Sequence, residues 1–279
     1  MTSRSKTLSR LFFCRGKGKE MILKRPVSKI SASVSKFFTL CLLLLSLCVS
    51  SNAYAMHPLI SDDAWTTGTG KFNLELNAEY ANDNGDTETQ LAATLTAGVR
   101  ENIDLVATVP YLFTRIDEGA ETFREDGLSD ITLELKWRFY EKEGLGIALK
   151  PGISIPTGDK DKGLGDGEAS YSLHLLTSKE VNPVTLHLDL GYTRNGREFR
   201  DIWHCSLAAE YPVSKPLTLV ADIGGETNPD RDSNVAPVFL LGGMVYKINE
   251  NFSVDLGLKT GLTKSEADYT VLAGVIIDF

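Results

Sequence analysis

The chain has 279 residues, with 29 Lys and Arg against 37 Asp and Glu, and a formal net charge of −8 at pH 7. Ten of those bases but only one acid (Glu20) fall in residues 1–55, so the remainder carries 19 bases against 36 acids, a net charge of −17. So acidic a chain excludes nucleic-acid binding, which needs basic surface; with Cys14, Cys41 and Cys48 in the same stretch, Cys205 is left without an intramolecular disulfide partner.

Residues 37–49 form an apolar run, preceded by Lys24, Arg25, Lys29 and Lys36 and followed by Ala53-Tyr54-Ala55. This is the charged region, apolar region and A-x-A site of a secretory signal peptide, and the run is shorter than the ~20 residues of a membrane-spanning helix. A leader is therefore expected over residues 1–55, of ordinary length if it starts at Met21, with Met56 as the first mature residue. Leu47, ahead of Cys48, is too large for a lipoprotein cleavage site. Residues 56–70 are polar and rich in Gly and Thr, with Asp62, Asp63 and Trp65. They are expected to be a free periplasmic N-terminal segment; the alternative is that they fold back into a barrel mouth.

From residue 71 the pattern is β throughout. Twelve strands are expected, at 71–80, 88–100, 103–114, 128–140, 145–157, 169–180, 184–193, 201–211, 217–226, 235–247, 252–262 and 268–279, each near the ~10 residues a tilted membrane strand needs. In 128–140, Ile131, Leu133, Leu135, Trp137 and Phe139 alternate with Asp130, Thr132, Glu134, Lys136 and Arg138. Strand 235–247 is apolar on both faces and cannot be oriented from sequence. The even-numbered connections are short, such as Glu101-Asn102, whereas 115–127, 158–168, 194–200 and 227–234 are longer and more charged. Aromatic residues sit at the strand ends, with Trp137, Phe139, Tyr140, Tyr211 and Tyr246 toward the short turns and Tyr80, Tyr111, Phe113, Tyr192, Trp203 and Tyr269 toward the long loops.

Alternation, loop sorting and two aromatic girdles together describe a bilayer-spanning barrel. The fold class is all-β: a transmembrane antiparallel up-and-down β-barrel of about 12 strands over residues 71–279, in the outer membrane of a Gram-negative cell, with both termini periplasmic. The last strand ends the chain on Phe279, with Tyr269, Val271, Val275 and Ile277 on one face; these are expected to form the assembly signal read by the barrel-insertion machinery. On its opposite face Leu272 and Ile276 intrude among polar residues.

Polar parity makes Glu75, Glu79, Glu134, Lys136, Arg138, Lys150, His187, Asp189, Asp222, Asp255 and Lys259 the candidate lumen residues for a solute pathway, with Lys136, Arg138 and Lys150 in one basic patch. Twelve strands lie between barrels filled by side chains and those with a wide aqueous channel, so a narrow pore is expected. Asp159-x-Asp161 and Asp230-x-Asp232-x-Asn234 lack the Gly and Glu of a calcium loop, so neither a metal nor a cofactor is expected. His204 with Ser206, and Ser172 with His174, place imidazole and hydroxyl on one strand face, which keeps a lipid acyl hydrolase as an alternative to a non-enzymatic channel. A plugged structural barrel is a further alternative.

Three stretches carry a family resemblance: His57-Pro58-Leu59-Ile60-Ser61-Asp62-Asp63, Gly127-Leu128-Ser129-Asp130-Ile131, and Pro156-Thr157-Gly158-Asp159 with Gly163-Leu164-Gly165-Asp166-Gly167. Together they resemble the outer-membrane family named for the meta-pathway of phenol degradation, over most of residues 57–279. The resemblance implies an outer-membrane barrel that passes aromatic or other small hydrophobic solutes. The expected function is therefore passive passage of small solutes, with outer-membrane lipid and lipopolysaccharide as surroundings and no nucleic-acid partner.

Overall fold

The structure, a computed structural model, describes residues 57–119 and 121–279. The expected leader and its cleavage point lie outside the described residues. The alternating segments form thirteen strands: β1 (Phe72–Asp83), β2 (Asp86–Arg100), β3 (Ile103–Glu118), β4 (Glu121–Leu128), β5 (Ile131–Lys142), β6 (Leu145–Ile155), β7 (Ser170–Val181), β8 (Val184–Arg194), β9 (Ile202–Pro212), β10 (Leu217–Glu226), β11 (Val238–Asn249), β12 (Phe252–Gly261) and β13 (Tyr269–Asp278). Twelve of them form one antiparallel meander that β1 closes by pairing with β13, from Asn73 opposite Asp278 to Asn82 opposite Tyr269. Closure pairs every backbone group internally, which a strand structure needs in order to cross hydrocarbon.

The thirteenth strand corrects the expected loop at 115–127. The first part of β3, Ile103–Thr108, pairs with β5, whereas its outer part, Tyr111–Glu118, pairs with β4. β4 and β5 thus run end to end beside β3, broken at Ser129–Asp130. The hairpin projects past the apolar band, and Glu121, Thr122, Phe123, Arg124 and Glu125 are all exposed. With water on both faces it has no apolar period to read. The first connection is also shorter than expected: Asn84 and Gly85, at φ 52° and 98°, join β1 directly to β2. That is the two-residue Asn-Gly hairpin whose positive φ values suit the strand twist.

The outer surface carries the apolar parity. Leu105, Leu133, Leu135, Leu173, Leu190, Leu207, Leu219, Leu240, Leu256 and Val271 are exposed, and in the membrane they face acyl chains. Exposed Phe72, Trp137, Phe139, Tyr140, Tyr211 and Tyr246 ring the short-turn end, and Tyr80, Tyr171, Trp203 and Tyr269 the long-loop end. Tyr111, expected in the second girdle, is instead buried, with its hydroxyl 2.7 Å from Asp126 of the β4 hairpin. At the seam, Phe279 and Phe72 exchange both backbone hydrogen bonds and their rings lie 6.0 Å apart. β11 now has an orientation: Leu240 and Met244 face out, while Phe239 and Leu241 are buried inside.

Two of the resembling motifs form one unit at the long-loop rim. The Asp130 carboxylate accepts from the amides of Gly158 and Asp166 at 2.9 and 2.8 Å, and Thr157 Oγ1 accepts from Ile131 N while reaching Ser129 O. Leu164 is buried beneath them. This clamps the β6–β7 loop to the start of β5.

Candidate functional site: a lumen crossed by the N-terminal segment

Residues 57–70 are not free. They cross the inside of the barrel, which corrects the expectation of a loose periplasmic N-terminal segment; the physical reason is that side chains of the polar wall pair with their amides, hydroxyls and carboxylates. His57 starts at mid-height, with Nδ1 2.5 Å from Asp255 Oδ1 on β12. Pro58 lies against Gly243 and Gly257, where an added Cβ would come within 2.9 and 2.8 Å of its ring. Leu59 packs with Ala208, Val220, Phe239, Leu241 and Leu272. Asp222 Oδ2 accepts from the amides of Ile60 and Ser61 at 2.9 and 2.7 Å, and Ser61 Oγ lies 2.7 Å from Ser206 Oγ.

The segment then meets charge. Asp62 Oδ1 is 2.8 Å from Lys136 Nζ and its Oδ2 is 2.9 Å from Lys150 Nζ; Lys150 also meets Glu134 at 2.8 Å. Ala64 N donates to Ser178 Oγ, which in turn pairs with His187 Nδ1. Trp65 seats against Gly146 under the guanidinium of Arg138, 5.9 Å from its ring centroid. Thr67 donates twice to Asp104 Oδ2, and Thr66 and Thr69 contact Glu101 at the short-turn rim before β1 begins.

The candidate lumen residues are therefore placed as follows. Glu134, Lys136, Lys150, Asp222 and Asp255 face inward and hold the segment directly or through one partner, and His187 does so through Ser178. Arg138 covers Trp65 and pairs with Glu141 at 2.9 Å, so the expected basic patch is divided: Lys136 and Lys150 share Asp62 while Arg138 serves the rim. Glu75 lines a cavity of about 910 Å³ between the segment and the wall, together with Asp104, Thr94, Thr96, Thr108 and Trp65. Asp189 is buried, 2.8 Å from His174, and Lys259 pairs with Glu266 at 3.0 Å. Glu79 shares the face of Glu75 on β1 and acts electrostatically on His57.

Sequence reasoning did not name His57, Ser61, Asp62, Asp63, Asp104, Ser178 or Ser206 as lumen residues. A signal was present: Gly146, Gly243, Gly257 and Gly274 stand inside strands, where glycine marks a close backbone approach, and all four contact the segment. The intruding Leu272 has the same cause, since it packs on Leu59.

Charge on the segment is tuned by this setting. Burial pushes against ionising Asp62, but Lys136 and Lys150 outweigh it and hold its carboxyl well below the usual range. Asp63 goes the other way: burial raises it to about 6, against the pull of Lys136, and the Asp62 charge adds to the rise. For His57, burial disfavours the imidazolium, but the hydrogen bond and charge of Asp255 prevail, helped by Glu79 and Glu75, and its proton affinity is raised.

The pair for ester hydrolysis does form, with His204 Nε2 2.9 Å from Ser206 Oγ. It faces the lumen rather than the lipid, however, and Ser206 is 1% exposed and bonded to Ser61. Outside the barrel, an apolar groove of about 880 Å³ runs over Leu149, Leu173, Leu190, Trp203 and Cys205, on the membrane-facing wall.

A closed twelve-stranded barrel with an apolar outer band, two aromatic rims and a polar interior is an outer-membrane β-barrel. The chain is similar in fold to an outer membrane channel from Pseudomonas putida F1, with a TM-score of 0.61 and 13% identity over 81% of this chain and 100% of that one. It is also similar to the KdgM porin, solved in complex with disordered oligogalacturonate, with a TM-score of 0.52 and 10% identity over 74% of this chain and 99% of that one. No curated protein sequence matches it. Residues 57–279 match the family described as "Putative MetA-pathway of phenol degradation", and the chain belongs to that family. The match begins at His57, so it includes the segment inside the lumen.

Proposed function

We propose that the protein is an outer-membrane channel for passive passage of small solutes, with its short-turn rim and C-terminus facing the periplasm and residues 57–67 acting as a movable stopper. The observation that supports this most is the interior itself: a hydrogen-bonding cavity of about 910 Å³ beside a segment held by side chains alone. A closed core has no use for such a cavity, and its volume suits a small organic molecule. The solute class follows from the family description, which points to phenols; Thr94, Thr96 and Thr108 offer hydroxyls to a phenol and Trp65 an aromatic face. The lumen candidates then act in two ways: Lys136, Lys150, Asp222 and Asp255 set how firmly the stopper sits, while Glu75 and Arg138 meet the solute.

Phe279, with the outward face of β13, is assigned to recognition by the insertion machinery, and the outer surface to lipid and lipopolysaccharide. Deleting Phe279 should leave the chain periplasmic and sensitive to protease; normal surface levels would contradict that assignment. For transport, liposomes carrying the folded mature protein should take up a labelled phenol faster than empty ones, and deletion of 57–67 should raise the flux further. If the deletion variant folds and its flux equals that of empty liposomes, transport fails and the second reading, a structural barrel whose lumen stays closed, is the correct one.

A further inference from the structure

The ionic half of the segment fills a place that a free anion would fit. Lys136 and Lys150 stand on the neighbouring strands β5 and β6, facing the lumen, and like charges side by side on a sheet repel unless an anion lies between them. Asp62 is that anion. One of its carboxylate oxygens is 2.8 Å from Lys136 Nζ and the other 2.9 Å from Lys150 Nζ. The wall itself neutralises only one of the two lysines. Lys150 has Glu134 at 2.8 Å, whereas the carboxylates in ion-pair contact with Lys136 among the described residues, Asp62 at 2.8 Å and Asp63 at 3.7 Å, both belong to the segment. Glu75 and Asp104 act on Lys136 from β1 and β3 at longer range. The Lys136 side chain is 9% exposed. When the segment leaves, Lys136 loses both of its contact counterions in a confined site, where unpaired charge is costly.

Space for a ligand adjoins the pair. Lys136 and Lys150 line the cavity of about 910 Å³, together with Thr94, Val106 and Thr108 of β2 and β3. We propose that Asp62 is an internal stand-in for the solute: Lys136 and Lys150 form a site for a small monocarboxylate, whose carboxylate takes over the two ammonium contacts of Asp62 and whose uncharged body lies in the cavity, so that the solute displaces the stopper as it binds. This rests on the channel reading and narrows its solute to organic acids. Charge sets the selectivity. One carboxylate restores to Lys136 what the segment supplied, through hydrogen bonds between ionised groups, which are the strong ones. A neutral phenol or alcohol brings no charge to the lysines, and a dicarboxylate would turn its second charge toward Glu75, Asp104 or Glu134, which line the same cavity. A ligand shifts a conformational equilibrium only by its differential affinity for the two states. Here the difference is large, because docked Asp62 occupies the same two ammoniums.

The test is calorimetric binding of benzoate to the folded mature protein in detergent, with phthalate and benzyl alcohol as dianionic and neutral controls. Asp62→Ala removes the competitor and leaves both lysines. It should bind benzoate about tenfold more tightly than wild type, since affinity is reduced by the fraction of molecules whose site is already filled. Phthalate and benzyl alcohol should each bind this variant about tenfold more weakly than benzoate, lacking the matched charge-assisted contacts. Adding Lys136→Met to Asp62→Ala, which leaves the Lys150–Glu134 pair in place, should abolish the tight binding. In wild type, benzoate should speed hydrogen exchange at the amides of Ile60 and Ala64, and benzyl alcohol should not. An Asp62→Ala protein that ignores benzoate, though folded by circular dichroism, overturns the proposal. So does equal binding by the Lys136→Met form, which puts the ligand elsewhere, or equal binding of benzyl alcohol, which removes the carboxylate from recognition. Binding needs no conduction, so the two readings fail separately. Lys136-dependent binding without flux sinks the channel and leaves the site, while phenol flux without benzoate binding sinks the site and leaves the channel.

Discussion

The segment inside the barrel meets two unlike walls. Toward β9–β13, Leu59 packs into an apolar cluster and the backbone of Ile60 and Ser61 docks on Asp222. Toward β5 and β6, Asp62 is shared by Lys136 and Lys150, with Glu134 and Asp63 close by. The apolar half is graded, since each methylene removed subtracts a similar increment. The ionic half is all-or-none: its charges are desolvated whether paired or not, so removing one partner leaves the others uncompensated. A stopper built this way can be held firmly by its ionic half and still be released by a single change in charge.

The largest expected effect tests that half. Asp62→Ala leaves Lys136 with only the longer contact to Asp63 and Lys150 with Glu134, and should weaken docking by about 3 kcal/mol, the low end for breaking a buried pair, seen as faster hydrogen exchange at the amides of Ile60, Ala64 and Thr67. Replacing Lys136 and Lys150 with Met and Glu134 with Gln in the same protein should restore most of the protection, because the buried charges go together. If Asp62→Ala exchanges like wild type, the ionic wall does not hold the segment. Leu59→Ala should cost less, about 2–3 kcal/mol, near the lower end for a buried leucine, because Leu59 borders the cavity and water can fill the space. Its loss should be additive with Asp62→Ala if the two walls act separately, and strongly non-additive if the segment docks as one body.

The smallest effect is with pH. Docking raises the proton affinity of His57, so its contribution is complete below about pH 6.5, the ordinary histidine value, and is lost as pH rises through the higher docked value. Docking also raises Asp63 to about 6, so its contribution is complete below its ordinary value near 4 and is lost as pH rises through about 6. Asp62, held low by two lysines, contributes above its ordinary value near 4 and is lost only under stronger acid. Asp62 is thus constant between pH 5 and pH 8, and His57 and Asp63 agree that the segment should be more protected at pH 5 than at pH 8. Equal protection at both would show that His57 and Asp63 titrate outside this window.

The barrel was legible because lipid enforces a strict rule on one face of each strand. Outward residues such as Leu133, Leu135 and Leu256 must be apolar, so the period-2 pattern survives in sequence. The interior obeys no such rule. Its residues answer to partners on other elements, so Lys136 and Lys150 could be placed inward by parity while Asp62, 74 and 88 positions away, could not be foreseen. Where the interior departs from polarity, at Leu272, Phe239 and Leu241, the departure marks where the segment packs. The β4 hairpin was missed for the opposite reason, since it stands clear of the membrane and neither face is constrained.

The most direct measurement locks the segment reversibly. Ser61 Oγ and Ser206 Oγ are 2.7 Å apart in the lumen, so a Ser61→Cys/Ser206→Cys protein, with Cys205→Ser to remove the outward thiol, places two sulfurs where they can bond. In planar bilayers the oxidised protein should be electrically silent and reductant should bring back openings of the wild-type kind. Conductance that is unchanged between the oxidised and reduced forms, with the disulfide verified by mass spectrometry, would contradict the role of residues 57–67 as the element that closes the channel.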